Sequence, residues 1–253
     1  MKNEIGIYDL SGCSNLGYKE RIDIYKQVGF NEIALYLDDK YMQNNEHYVD
    51  IINYAKKRGL YIKQVHLDYA ISNLICDENS SLYFDYLNEK AIECENLGIS
   101  CVVLHASKGD VAPLITIKQL QKLQSITKAH KSISFCFENV RNNNNLRKIL
   151  SLNEPNIKMC YDLGHAHAYD NETKLLNEFV SQIGCSHLHN NFGSDEHLIL
   201  TEGNIDYKPI VKTLCGIKNT SNCIEAFPPK GDLLDREQFK DFVEKCYNST
   251  KML

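Results

Sequence analysis

Short apolar runs rich in β-branched and aromatic residues alternate along this chain with longer segments of helical periodicity. Such alternation is typical of βα units built on a parallel sheet. The pattern predicts eight strands, at residues 4–10, 32–37, 61–67, 101–105, 133–138, 157–163, 185–189 and 223–227. It predicts eight helices, at residues 18–28, 45–58, 82–97, 117–130, 145–152, 172–183, 207–214 and 234–247.

Several predicted helices end at a glycine just before the next strand, in KQVGF, KKRGL, ENLGI, SQIGC and TLCGI. Glycine there is typical of a left-handed C-terminal cap. Eight units without a linker or a shift in composition predict one closed (β/α)8 barrel over residues 1–253, with its active site at the C-terminal ends of the strands. The alternative is an open doubly wound sheet, which often carries a glycine-rich phosphate turn that this sequence lacks.

Composition narrows the class of protein. Hydrophobic residues make up 43% and charged residues 24% of 253 residues, enough for one large globular domain. No apolar run approaches the roughly 18–20 residues of a membrane span, and the start, MKNEIGIYDLSG, does not resemble a secretory signal. We therefore expect a cytoplasmic protein without membrane partners.

The net charge and the cysteine pattern argue against two further kinds of site. The net charge is −5, with 28 basic and 33 acidic residues, which disfavours nucleic acid as a partner. The ten cysteines are scattered and form no CxxC pair. We interpret those in apolar runs as reduced core residues rather than disulfides or a zinc knot: Cys101, Cys136, Cys160, Cys185 and Cys223.

Six consecutive predicted strands, the third to the eighth, end in His, Asp or Glu. These residues are His66, His105, Glu138, Asp162 with His165, His187 with His189, and Glu225, and the loop after the seventh strand adds Asp195 and His197. One histidine at a strand end is more often a hydrogen-bonded rim residue than a metal ligand. Because the strand ends of a barrel meet at one rim, the repetition of imidazole and carboxylate predicts a site for Zn, Mn, Fe or Co.

Five histidine and aspartate positions carry more specific expectations. Asp162 and His165 lie three residues apart where the strand gives way to a turn, so we expect them to face different centres. His189 has little weight as a ligand, because it lies where the strand passes into a loop. His47 and His130 lie in helical segments without companions, and we predict both at the surface.

The polar segments form an ordered set: VHLDYAISNL, LGISCVVLHAS, FENV, YDLGHAHAYD, HLHNNFGSDEHLILTEGNID and IEAF. This set resembles the xylose-isomerase-like TIM-barrel superfamily, which includes sugar phosphate isomerases and epimerases and also endonuclease IV. The resemblance implies a metal centre formed by Glu138, Asp162, His187 and Glu225. In endonuclease-like members His66 and His105 add a second metal that shares Glu138, and His165, Asp195 and His197 hold a third.

Two residues depart from the pattern of that superfamily. Asn190 stands where many relatives have Asp, and Thr201 stands where many have the first Gly of GxG. These departures concern the conformation of the loop and its substrate contacts.

The leading hypothesis is a divalent-metal-dependent isomerase or epimerase of a small sugar, sugar phosphate or related polyol, using one to three ions of Zn, Mn, Co or Fe. Glu138 and Glu225 would transfer the proton through a metal-stabilised enediolate, and His165 would contact a substrate hydroxyl if no metal holds it. Lys108, Arg141 and Asn191 are candidate substrate or phosphate contacts.

Two alternatives stay open. One is an abasic-site endonuclease or other phosphodiesterase with up to three metals. It is supported because all nine metal-ligand positions implied by the resemblance are filled in this sequence. The other is a non-catalytic barrel that binds a metal or a sugar. A homo-oligomer is also possible.

Overall fold

A computed structural model of the protein describes residues 5–42, 45–106, 113–169, 172–229 and 233–252. The strands are β1 (Ile5–Tyr8), β2 (Ile33–Tyr36), β3 (Gln64–His66), β4 (Cys101–His105), β5 (Ser134–Glu138), β6 (Ile157–Asp162), β7 (Ile183–Leu188) and β8 (Ser221–Ile224). The helices are α1 (Tyr18–Val28), α2 (Tyr48–Lys57), α3 (Tyr69–Ser72), α4 (Ser80–Leu97), α5 (Ile117–Ala129), α6 (Asn144–Leu150), α7 (Leu163–Tyr169), α8 (Glu172–Phe179), α9 (Tyr207–Gly216) and α10 (Arg236–Lys251).

The eight strands are parallel and close into a barrel in chain order, with β8 pairing back onto β1. The closed (β/α)8 barrel is therefore confirmed, and the open-sheet alternative is wrong. The register brings ligand-type residues side by side, because His105 pairs with Glu138 and Asp162 pairs with His187. Among the described residues, no helix is both long and apolar enough to cross a membrane.

The structure has two short helices that the sequence pattern did not predict. Helix α3 follows β3 and has four residues, and α7 follows β6 and has seven. Segments this short hold too few positions to display a helical period. The predicted helix at 172–183 ends at Phe179, after which a 3-10 turn, Val180–Gln182, leads into β7.

Three of the five predicted glycine caps are confirmed. Gly29, Gly59 and Gly98 have φ angles of 119°, 71° and 65°, in the left-handed region. The other two predictions are wrong: Gly216 is the last residue of α9, and Gly184 is the second residue of β7. A Cβ at Gly184 would lie 2.7 Å from the Sγ atom of Cys136, so this glycine serves close packing inside the barrel rather than a helix cap.

The main apolar core lies where strand and helix side chains meet, and smaller buried clusters lie among the strands. One of these clusters is dominated by thiols: Cys101, Val103, Cys136, Cys160 and Cys185. All ten cysteines are free, in keeping with the expected reduced core residues.

The position of His130 differs from its prediction. Its exposed fraction is 7%, and its ring lies 3.1 Å from both Glu95 Oε2 and Asn88 Oδ1. The predicted surface position is wrong because His130 follows the last residue of α5 and packs against α4 instead of facing solvent. His47 is exposed as predicted and contacts Asp39.

A buried ionic network holds the chain just beyond β1. Arg21, on α1, is fully buried, and its Nη2 atom donates to Asp9 Oδ2 at 2.9 Å and to Glu46 Oε2 at 2.8 Å. Tyr25 donates its hydroxyl proton to Asp9 and accepts from the backbone N–H of Leu10. The segment that follows Tyr8 is thereby fixed to helix α1.

Candidate metal centre

Side chains from β3 to β8 and from the loop after β7 converge at the C-terminal end of the barrel. They form three groups whose candidate ligand atoms lie within 4.8 Å of one another in each group. We name them the central group (Glu138, Asp162, His187, Glu225), the β3–β4 group (His66, His105, Glu138) and the loop group (His165, His189, Asp195, His197).

The central group is buried and is organised around His187. Its Nδ1 atom lies 3.0 Å from Glu225 Oε2, 3.3 Å from Glu138 Oε1 and 3.8 Å from Asp162 Oδ2. The side chains are at most 4% exposed, because each one lies within one residue of the C-terminal end of a barrel strand and faces the interior. Three carboxylates and one imidazole thus converge in a space from which bulk water is excluded.

Glu138 joins the central group to the β3–β4 group. Its Oε2 atom lies 3.1 Å from His66 Nε2 and 3.3 Å from His105 Nε2, while its Oε1 atom faces His187. A carboxylate that turns one oxygen to each side is suited to bridge two cations.

The loop group combines α7 with the loop after β7. Asp195 lies between two imidazoles, with its Oδ2 atom 3.4 Å from His165 Nε2 and its Oδ1 atom 3.2 Å from His197 Nε2. Its side chains are more open than those of the central group: Asp195 is 33% exposed and His197 is 21% exposed. As expected, Asp162 and His165 lie in different groups.

His189 belongs to the loop group, although its place at the end of the predicted seventh strand made it a weak candidate ligand. Its ring stacks on that of His197 at a centroid distance of 3.9 Å, and its Nε2 atom lies 3.1 Å from Asp162 Oδ1. The spacing of two from His187 was the available signal, because residues i and i+2 of an extended strand face the same side. Gly164 makes room for this ring, since a Cβ there would lie 1.9 Å from His189 Cε1.

Outer hydrogen bonds fix which ring nitrogen faces the carboxylates. Backbone carbonyls accept from three imidazoles: Leu67 O from His66 Nδ1 (2.6 Å), Asn139 O from His165 Nδ1 (3.0 Å) and Glu225 O from His197 Nδ1 (2.8 Å). In each ring Nε2 is then the nitrogen that can face a carboxylate and, once it has lost its proton, bind a cation. Histidine ligands of metal sites are held by outer partners in this way.

Tyr8 provides the outer contact for His187, and the sequence did not identify it. Its hydroxyl lies 3.0 Å from His187 Nε2. With Nε2–H donating to this oxygen, Nδ1 keeps a lone pair for a cation among the three carboxylates.

We expect Tyr8→Phe to weaken divalent metal binding about 10–100-fold, the usual effect of removing an outer partner of a ligand. Equilibrium titration with a metal indicator measures this. Tyr83→Phe is the matched control, because Tyr83 is fully buried on α4 and its hydroxyl has no hydrogen-bond partner among the described residues. Equal affinities of the two variants would contradict the role given to Tyr8.

Two carboxylates of the central group, Glu138 and Glu225, are held in their charged form. Burial opposes ionisation of Glu138, but the His187 imidazole and hydrogen bonds from His105 and His165 hold its pKa well below the ordinary value. Burial also opposes ionisation of Glu225, and His187 and His197 lower its pKa to about 2. In turn, these carboxylates outweigh burial and raise the pKa of His187 well above its ordinary value. The site therefore concentrates negative charge that a cation can neutralise.

Unpaired buried polar atoms test whether these residues fit a metal. Among the described residues, Asp162 Oδ2 and both ring nitrogens of His189 are buried without a hydrogen-bond partner. The contact of 3.1 Å between His189 Nε2 and Asp162 Oδ1 has the distance of an ion pair but not the geometry of a hydrogen bond. Unsatisfied donors and acceptors of ligand type in a buried polar cluster are what a coordinated cation would satisfy, so the residues fit a divalent metal.

The three candidate substrate residues have different surroundings. Lys108 lies outside the described residues. Arg141 is exposed, with its guanidinium 4.8 Å from the centre of the Tyr169 ring. Asn191 is fully buried, and its amide donates to Gly164 O at 2.8 Å and accepts from the backbone N–H of Gly193 at 2.9 Å. In this conformation Asn191 shapes the loop.

Asn190 suits the loop that the structure shows. Its amide nitrogen donates to Leu200 O at 2.6 Å, a bond that an ionised aspartate could not donate. Its amide oxygen accepts from the backbone N–H of Ile205 at 3.0 Å. A Cβ at Gly203 would lie 2.2 Å from that oxygen, so the glycine retained in this segment lets Asn190 pack closely.

Comparisons with solved structures show the same fold at low sequence identity. A D-psicose 3-epimerase with D-tagatose from Clostridium cellulolyticum H10 superposes with a TM-score of 0.72 at 14% identity, over 100% of this chain and 98% of the other. A xylose isomerase domain containing protein from Salmonella typhimurium LT2 gives 0.76 at 15% identity, over 100% and 98%. A sugar phosphate isomerase/epimerase from Parabacteroides distasonis ATCC 8503 gives 0.71 at 14% identity, over 99% and 98%.

The sequence matches no curated protein. A family model described as xylose isomerase-like TIM barrel matches residues 22–241, which is most of the chain and includes every candidate ligand. The chain belongs to the xylose isomerase-like TIM barrel family.

Proposed function

We propose that this protein is a divalent-metal-dependent isomerase or epimerase of a small sugar, sugar phosphate or related polyol. The observation that carries the proposal is the pair of ionised carboxylates, Glu138 and Glu225, which both contact His187 in the buried central group. Two of the structural neighbours, a D-psicose 3-epimerase and a sugar phosphate isomerase/epimerase, support the same class of reaction.

In the proposed reaction a proton moves between adjacent carbons of the substrate, and the residues of the central group have separate roles in that transfer. Glu138, Asp162, His187 and Glu225 would hold a divalent ion, which would supply Lewis-acid polarisation of the substrate oxygens. Glu138 and Glu225 have lowered pKa values, so each has a carboxylate oxygen that can accept a proton from carbon and return it.

The loop group would contact substrate hydroxyls in this reaction. Burial disfavours the charged form of His165, but Asp162, Asp195 and Glu138 raise its pKa well above the ordinary value, so the ring can hold a proton on Nε2 and donate it to a hydroxyl. Asp195 accepts from the same or a neighbouring hydroxyl. Both are partly exposed, as a substrate contact requires.

Proton exchange on the wild-type protein tests the proposal. Protein stripped with a chelator and reloaded with Mn, Co or Zn is incubated with a panel of ketoses and ketose phosphates in deuterated water. We expect metal-dependent interconversion of sugars, with deuterium entering at the carbon next to the carbonyl. Absence of exchange with every member of the panel, in protein that is folded and metal-loaded, would rule out the proposed reaction.

A three-metal phosphodiesterase is the second candidate, and the bridging position of Glu138 favours it. The β3–β4 group and the loop group could hold ions beside a central one, and several ions can stabilise the attacking and leaving oxygens of a phosphodiester. Zinc-restored protein should then nick a duplex that carries an abasic site, with about three ions per chain by elemental analysis. One ion per chain and an intact duplex would remove this candidate.

A further inference from the structure

A second cluster of possible ligands lies towards the opposite end of the barrel and contains only sulfur. Cys101, Cys136 and Cys185 bring their Sγ atoms within 4.8 Å of one another, and the Cys101 and Cys136 sulfurs are 3.4 Å apart. All three are free thiols, and each is at most 6% exposed. On β5 and β7 the thiols precede Glu138 and His187 by two residues, so the strands carry both kinds of donor on one face at different heights.

A cavity of about 310 Å³ leads to these sulfurs from the end of the barrel where the strands begin. Its wall includes Ser100, Cys101, Ser134, Gly184 and Ser221. Cys101 belongs to both the wall and the cluster. Gly184, which also lines the cavity, packs against the Cys136 sulfur and has no side chain to separate that sulfur from the cavity. The cavity therefore meets the cluster at Cys101, away from the central group, and its wall also includes Lys63.

We propose that Cys101, Cys136 and Cys185 form a three-sulfur binding site for a thiophilic d10 cation such as Cu(I), Zn(II) or Cd(II). Soft thiolate ligands select these ions, whereas the mixed imidazole and carboxylate groups at the other end suit harder divalent metals. The site is independent of the proposed sugar reaction.

The separations of the sulfurs suit one shared ion. With metal–sulfur bonds of about 2.3 Å, three sulfurs in a trigonal arrangement are about 4 Å apart. The Cys101–Cys136 distance of 3.4 Å is shorter than that value, and no two of the three sulfurs are more than 4.8 Å apart, so small side-chain rotations suffice. The three thiols are free and buried, so a cation must displace their protons, which only a strongly thiophilic ion does.

Titration of the reduced wild-type protein with Cd(II) tests the proposal. Thiolate coordination gives a charge-transfer absorption in the ultraviolet that imidazole and carboxylate ligands do not produce. We expect this band to saturate at one ion per chain and to be lost in Cys136→Ser. The matched controls are Cys94→Ser and Cys246→Ser, which change buried thiols on α4 and α10 and should leave the band unchanged.

A second measurement needs no variant and keeps the test valid if Cys136→Ser does not fold. X-ray absorption of the wild-type complex, recorded when the charge-transfer band has saturated, should show sulfur atoms around cadmium, about three per chain. The proposal is overturned if the band is absent, if it persists in folded Cys136→Ser, or if the absorption spectrum shows only nitrogen and oxygen ligands. A disulfide between Cys101 and Cys136 in the protein as isolated, detected by mass spectrometry, would also overturn it.

Discussion

Glu138→Gln should abolish detectable sugar interconversion and lower the metal content of the protein more than any other single substitution at the site. Glu138 supplies an oxygen to both the central group and the β3–β4 group, so its loss weakens two candidate ion positions at once. It also removes one of the two proposed proton carriers, and such a group contributes about 10²–10⁴-fold to the rate. The fall in turnover should therefore exceed that contribution alone.

Two other substitutions serve as comparisons for Glu138→Gln. Glu225→Gln removes a ligand of the central group only, so it should lower turnover while ions at the β3–β4 group and the loop group are retained. Glu89→Gln changes an exposed residue of α4 and should alter neither quantity. Elemental analysis after dialysis gives the ion content, and deuterium exchange gives the turnover. If Glu138→Gln kept the ion content of Glu89→Gln, the bridging role of Glu138 would be wrong.

The barrel and most of its ligand-type residues were predictable because both depend on local patterns. Strand periodicity and the glycines before strands are features of neighbouring residues, and a residue that ends a parallel strand must lie at the common rim. His66, Glu138 and Glu225 were found in this way. The single family resemblance then grouped them into sets of the same composition as those in the structure, apart from His189.

Other contacts could not be predicted because they depend on closure of the barrel. Tyr8 meets His187 across 179 positions of the chain, and no periodic pattern links β1 to β7 at that distance. The thiol cluster is a similar case: each cysteine alone resembles an ordinary core residue, and only the circular order of the strands brings three sulfurs together. Predicting the position of His189 requires the exact course of the chain after β7, which depends on the space above Gly164.

Arg21→Met should be the most destabilising single substitution that we predict, at about 3–5 kcal/mol, because it leaves two buried carboxylates without their cation. The Arg21 and Asp9 side chains are 0% and 1% exposed, and Glu46 is 6% exposed. For a chain of this size, that loss corresponds to a fall in Tm of roughly 6–20 °C. Differential scanning calorimetry or urea unfolding measures the effect.

The control is another arginine bound to a carboxylate, on the surface. Arg236 lies 2.8 Å from Glu20, with side chains 56% and 51% exposed, so Arg236→Met should change the free energy of unfolding by less than about 1 kcal/mol. Combining Arg21→Met with Asp9→Asn and Glu46→Gln removes the stranded charges and should recover part of the loss. If Arg21→Met lowered the free energy of unfolding no more than Arg236→Met does, the network would not stabilise the fold. The combined variant also tests whether the network positions Tyr8, which directly precedes Asp9 in the chain. If the combined variant recovers stability but binds metal more weakly, the network also holds Tyr8 against His187.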